Sequence, residues 1–184
     1  MDTNKNPWQI LTEKEVYDNP WINVKEFDVI NPGGGKGIYG KVHFKNLAIG
    51  IIALNEYNQI ALIGQYRFPI EQYSWEIPEG GGLHGIDPLI SAQRELQEET
   101  GLVANNWTKI LEMHLSNSVS DELAIVYLAT SLEQQQASPE ESESLEFKWV
   151  AFEEALQWVM ENKITDSISV AAILKLKILQ TVKI

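Results

Sequence analysis

Residues 94–102 read Arg-Glu-Leu-Gln-Glu-Glu-Thr-Gly-Leu, and the rest of the chain is best understood from this stretch outward. The spacings i, i+3 and i, i+4 place Glu95, Glu98 and Glu99 on one face of a helix, where like charges repel. Gly101 marks the end of that helix, where the macrodipole is negative and disfavours acids further. Solubility does not require such an arrangement, and stability is harmed by it. A hard divalent cation reverses the balance, because Mg²⁺ is held by one or two carboxylates together with phosphate oxygens of a substrate. The expectation is therefore a Mg²⁺ site on this turn, with Mn²⁺ as a substitute.

Upstream, Asp87 reads as the helix N-cap with Pro88 in the first helical position, and Leu89, Ala92 and Leu96 as the buried stripe. Before it lies a Gly80-Gly81-Gly82 loop, preceded by a short extended piece at 74–77. Further strands are expected at 21–30, 38–44, 47–54, 59–66, 108–115, 122–130 and 145–151. The segment 47–54 is apolar on both faces and belongs in the middle of a sheet. Residues 31–37 form a turn, 133–144 a polar loop and 1–15 a loosely attached start anchored at Trp8 and Ile10-Leu11. Two amphipathic helices close the chain, one at 152–161 and one capped by Asp166 or Ser167 and running to about residue 181. Strands around an embedded helix, with flanking helices, imply an α/β (α+β) class with a mixed β-sheet in an α/β/α sandwich.

The 184 residues suffice for one functional domain. A net charge of −12 repels long polyanions, so no nucleic-acid polymer is expected as partner. A small phosphorylated molecule is still accessible if metal ions bridge the two sets of negative charge. The absence of cysteine excludes disulfides, zinc fingers, iron–sulfur clusters and thiol nucleophiles. No run is apolar for long enough to span a membrane and no basic-then-apolar leader is evident, so a cytoplasmic location is expected. His43, His84 and His114 are too scattered to suggest a metal site. Gly33-Gly34-Gly35-Lys36-Gly37 lacks the spacing of a phosphate loop.

The stretch Gly80-x5-Ile86-x7-Arg94-Glu95-Leu96-Gln97-Glu98-Glu99-Thr100-Gly101-Leu102 resembles the signature of the Nudix hydrolases. Every fixed position of the C-terminal half is matched, while Ile86 stands where the family has its first Glu. Gly64-Gln65-Tyr66-Arg67-Phe68-Pro69, Ser74-Trp75-Glu76-Ile77-Pro78-Glu79-Gly80, Ser118-Val119-Ser120-Asp121-Glu122 and Glu141-Ser142-Glu143 resemble the ADP-ribose pyrophosphatase and nucleoside-diphosphate-sugar hydrolase branch. The resemblance implies a Nudix fold with an N-terminal antiparallel β extension: residues 1–45 as a dimerisation arm and 46–184 as the Nudix domain. It also implies a homodimer and a small-molecule nucleotide sugar as substrate.

Roles follow from the same resemblance. The metal candidates are Glu95 and Glu99, then Glu98, the backbone carbonyl of Glu79, and Glu143. The catalytic candidates are Glu141, as the group that activates or orients water, with Glu99, and with Arg94 orienting a neighbouring carboxylate. Glu141 and Glu143 have a plain alternative as solvated acids of a polar loop. The substrate-binding candidates are Arg67 for phosphate or base, Glu122 for a sugar hydroxyl and Trp21 for base stacking. Arg67 reads equally well as an ion-pair residue, and Trp21 as a packing residue. The implied activity is Mg²⁺-dependent hydrolysis of the pyrophosphate of ADP-ribose or a related nucleoside diphosphate sugar. The alternative, kept open by Ile86, is a catalytically silent Nudix-like module that binds a nucleotide sugar as a signal.

Overall fold

A computed structural model describes residues 5–137 and 144–182. The chain divides into two compact units, one of Met1–Asn46 with Ser116–Glu122 and the other of Leu47–Leu115 with Leu123–Ile184.

The first unit is an antiparallel sheet of β1 (Gln9–Asp18), β2 (Ile22–Ile30) and β3 (Lys36–Phe44), with β2 in the middle. Residues 9–18 are thus a strand rather than a loose start, although all ten of them are exposed. The turn after β2 is tied by the Asn31 side chain, whose oxygen accepts from the amides of Gly33 and Gly35 at 2.9 and 3.0 Å. Gly34 takes φ 88°, a left-handed conformation that glycine adopts without steric cost. Lys36 and Gly37 belong to β3 and not to the turn. The segment Ser116–Glu122 is bonded to β3: Val42 N donates to Val119 O at 2.9 Å, and Asp121 N to Val42 O at 3.2 Å.

The second unit holds two sheets. One is antiparallel, with β5 (Gln59–Arg67) between β6 (Gln72–Glu76) and β10 (Glu146–Ala151). The other is mixed and runs β7 (Glu79–Leu83), β4 (Asn46–Ala53), β9 (Leu123–Gln134), β8 (Leu102–His114). Here β4 and β9 are parallel while β8 and β9 are antiparallel. The single mixed sheet expected from sequence is therefore split in two. An isolated bridge, Leu54 to Ile60, joins the end of one to the start of the other.

The core explains the layering. In β4, Ile49, Ile51 and Ala53 join one buried cluster, while Ala48 and Ile52, with Leu54 just after the strand, join the other. In β9 the division is the same, Ile125, Tyr127 and Ala129 against Ala124, Val126 and Leu128. The parallel register pairs Ile49 with Ile125, Ile51 with Tyr127 and Ile52 with Leu128, so both rows are continuous across the sheet. Ala92 and Leu96 of α1 (Pro88–Thr100) cover the first row. Phe152, Ala155 and Val159 of α2 (Phe152–Met160), with Ile168, Ala172, Ile173 and Leu176 of α3 (Ser167–Thr181), cover the second. This is the expected α/β/α sandwich.

Three glycines made residues 80–82 read as a loop, yet they lie in β7. Glycine is needed there for closeness: a Cβ on Gly82 would come within 2.9 Å of Ile49 Cγ1. No described helix is long and apolar enough to cross a membrane.

Candidate active site

The acid-bearing helix starts and stops as the sequence indicates. Asp87 accepts from Leu89 N at 3.0 Å, and Pro88 opens the helix. Gly101, at φ 71°, donates to Gln97 O at 2.8 Å and ends it. A Cβ on Gly101 would meet the Gln135 carbonyl oxygen at 2.6 Å, so space as well as φ demands glycine here.

Burying Ala92 and Leu96 leaves Glu95 and Glu99 buried as well, while Glu98 is half-buried beside them. Gly80 in β7 lies against Glu95 so closely that a Cβ would fall inside the carboxylate. Glu99 Oε2 accepts from Glu79 N at 3.1 Å. The helix acids are therefore fitted to the backbone at 79–80.

Two arginines serve this cluster. Arg94 donates to Glu98 Oε2 at 2.5 Å, to the Gly81 carbonyl at 3.0 Å, and to Glu95 Oε1. Arg67, at the end of β5, donates from Nη2 to Glu76 Oε2 at 2.5 Å and to Glu79 Oε1 at 2.6 Å. Its Nε adds bonds to both Glu76 oxygens at 3.0 Å. The ion-pair reading of Arg67 is thus the one its side-chain geometry displays. Burial pulls Arg67 down, but the bonds from Glu76 and the charge of Glu79 outweigh it and hold the guanidinium above its ordinary value.

Glu79 is more strained electrostatically. Burial first, then the charges of Asp166 and Glu76, push its carboxyl well above the usual carboxylate range, against the pull of Arg67. Its Oε2 is buried without a hydrogen-bond partner. Among the described residues, no group of three or more His, Asp or Glu side chains is already gathered closely enough to hold an ion. The donor chemistry nonetheless suits a hard cation: carboxylate oxygens with too few cations between them, one of them orphaned, around a backbone that only glycine can bring so near.

Sequence reasoning passed over Glu76 and Asp166 as parts of this site. A charge in β6 at the same alternation as buried Ser74 was the available signal for Glu76. Asp166 was legible only as a cap, and it does cap α3, accepting from Ser169 N at 2.7 Å. Ile86 is exposed in the turn before α1, so the missing family Glu leaves no gap in packing. Glu141 and Glu143 lie outside the described residues.

In the first unit, Trp21 is exposed and Glu122 half-buried. Asp121 bonds His43 Nδ1 at 2.8 Å, Lys41 Nζ at 2.8 Å and Phe44 N at 3.0 Å. Burial raises its pKa, but the Lys41 and His43 bonds prevail and hold it at about 2. The aromatic cleft of this unit, about 420 Å³, is lined by Trp8, Phe27 and Tyr39 with Lys41, and Trp21 is not part of it.

A glycine-rich strand packed against two buried helix acids, in an α/β/α sandwich, is not a solvated charged face. Residues 44–168 match the NUDIX domain and residues 8–42 the nucleoside diphosphate sugar hydrolase N-terminal domain. The chain belongs to the NUDIX family and is a Nudix pyrophosphohydrolase. It is 30% identical over 175 residues to an ADP-ribose pyrophosphatase of Mycobacterium tuberculosis, covering 92% of this chain and 83% of that one. Against an ADP-ribose pyrophosphatase of Bacillus subtilis it is 30% identical, with 89% of each chain covered. It is also 33% identical to a methanol dehydrogenase activator of Bacillus methanolicus, over 74% of this chain and 75% of that one. A crystal structure of an ADP compounds hydrolase superposes with a TM-score of 0.86 at 19% identity, covering 98% and 97% of the two chains, which shows the shared fold.

Proposed function

We propose that the protein hydrolyses the pyrophosphate bond of ADP-ribose or a related nucleoside diphosphate sugar with Mg²⁺, giving a nucleoside monophosphate and a sugar phosphate. The observation that carries this reading is the seating of the Glu95 and Glu99 carboxylates against the backbone at Gly80 and Glu79. The names of the two ADP-ribose pyrophosphatase relatives support the choice of substrate.

When bound, a divalent cation supplies neutralisation of the diphosphate charge and an acidified water. Glu95, Glu99 and the Glu79 backbone carbonyl would hold it, with Glu98 next and Glu143 completing the set. Arg94 keeps Glu95 and Glu98 in place through paired bonds and offsets their mutual repulsion. Arg67 fixes the β6–β7 corner by tying Glu76 to Glu79 and can lend positive charge to a phosphate from its exposed side. Glu141 is assigned to orient the attacking water, Trp21 to stack on a base and Glu122 to bond a sugar hydroxyl.

The protein is further proposed to be a cytoplasmic homodimer. Supporting a self-association arm, β1 exposes Ile10, Leu11, Val16 and Tyr17 on a strand with no buried residue.

Purified protein with Mg²⁺ is to be assayed against ADP-ribose, GDP-mannose, UDP-glucose and diadenosine polyphosphates. AMP and ribose 5-phosphate from ADP-ribose is the expected outcome. No metal-dependent nucleoside monophosphate from any of the four overturns the reading.

A further inference from the structure

The segment 77–79 is gripped at one backbone group in each of its three residues, by three different elements. Ile77 N donates to Ser169 Oγ of α3 at 2.9 Å. Ile51 N of β4 donates to the Pro78 carbonyl at 2.8 Å. Glu79 N donates to Glu99 Oε2 of α1 at 3.1 Å. The second and third come from the sheet and from the acid helix itself. The first is unusual, because it depends on one hydroxyl from a helix on the opposite face of the sheet.

Ser169 is fully buried, and so in effect is Ile77. A buried amide must find an acceptor, and among the described bonds this hydroxyl is the acceptor for Ile77 N. Its placement is over-determined. Asp166 holds the first turn of α3 through Ser169 N at 2.7 Å. Gly50 in β4 lets that turn come close, since a Cβ there would meet Ile168 Cγ2 at 2.7 Å and Ile77 Cδ1 at 3.1 Å. Asp166 and Ser169 thus tie the start of α3 to Ile77, two residues before Glu79.

We propose that Ser169 is a positioning residue for the active site: its hydroxyl, set by the start of α3, fixes the backbone at Ile77 and thereby aims the Glu79 backbone at the helix acids. The proposal rests on the metal-site reading above, since what Ser169 positions is a donor to the cation. It adds that α3, which contributes no donor, tunes cation affinity through this bond.

The test uses Ser169→Ala, Ser169→Val and Ser169→Thr in the full chain, with Val159→Ala as a control that removes buried methyls from α2 elsewhere in the same core. Binding of Mn²⁺ alone is measured by calorimetry, hydrolysis of ADP-ribose is resolved into kcat and KM, and exchange of the Ile77 amide is followed by NMR. The Ala and Val variants are expected to weaken Mn²⁺ binding about tenfold, the low end for loss of a group that orients a metal donor. They also lower kcat with little change in KM, and expose the Ile77 amide to exchange. Threonine keeps the hydroxyl and stays within about twofold of the parent, while Val159→Ala loses thermal stability and keeps its Mn²⁺ affinity. Unchanged Mn²⁺ affinity in Ser169→Ala, or an equal loss in Val159→Ala, overturns the proposal even in an active enzyme. A parent that binds Mn²⁺ with the predicted Ser169 dependence yet hydrolyses no nucleotide sugar overturns the functional reading and upholds this one. A parent that binds no Mn²⁺ overturns both.

Discussion

Arg67 and Arg94 each straddle two glutamates, but they do so in different surroundings. The partners of Arg67, Glu76 and Glu79, have side chains only 3% and 13% exposed, whereas those of Arg94, Glu95 and Glu98, are 11% and 30% exposed. The same charge arrangement therefore has two physical meanings. Around Arg67, desolvation makes each partner indispensable to the others, so the group behaves as a fixed corner of the fold. Around Arg94, itself 44% exposed and shared with the half-buried Glu98, solvent screens the bonds even though Glu95 is as buried as Glu79, so the guanidinium can be exchanged for another cation at small cost. The closed cluster holds the backbone at Glu79, and the open one holds the acids.

Four measurements can break or sharpen that contrast. Replacing Arg67 by Ala strands Glu76 in the interior and should lower unfolding free energy in urea by about 3 kcal/mol, the low end for breaking a buried pair. A loss below about 1 kcal/mol would put Arg67 in the same screened class as Arg94. Next in size, Glu95→Gln keeps the shape but removes a charge from the open cluster, and should cut metal-dependent hydrolysis by about 100-fold with the fold intact. Full activity in that variant would remove Glu95 from the donor set.

The third concerns Asp121, a carboxylate held by three donors where Glu79 has an excess of acids. Its folded pKa of about 2 lies below the ordinary 3.8, so its contribution to stability is present above pH 3.8 and is lost as pH falls through 2. Asp121→Asn should cost about 1 kcal/mol near pH 6, after discounting for its partial exposure, less than half of that at pH 2, and nothing well below it. A pH-independent difference would show that the hydrogen bonds, not the charge, matter. The smallest effect is Arg94→Ala, expected to change unfolding free energy by less than about 1 kcal/mol and by less still in high salt.

What could be read beforehand and what could not divides along physical lines. The limits of α1 were legible because Asp87, Pro88 and Gly101 each act locally, within one turn of the helix end they define. The centrality of β4 was legible because burial on both faces leaves no polar residue in Ile49, Ile51 and Ile52. By contrast β1 carries no inward face, so its pairing with β2 is a matter of backbone bonds that leave no periodic mark. The glycines of β7 suggested a turn, because the reason for them, closeness to Glu95 and Ile49, lies in distant parts of the chain. The first half of β8 was missed where Asn105 and Asn106 interrupt the apolar pattern; both side chains bond across to residues of β9. At the site, Glu95, Glu98 and Glu99 announced themselves by crowding on one turn. Glu76, Asp166 and Ser169 did not, since each matters only through a partner many residues away.

The two-sided centre of the molecule has a consequence for how such chains can vary. Because β4 and β9 run in the same direction with matched parity, deleting or inserting a single residue in either would turn every following side chain toward the wrong helix layer. Length changes are thereby excluded from these two strands and diverted into the turns around them, so that relatives should differ in loop size while keeping this pair at constant length.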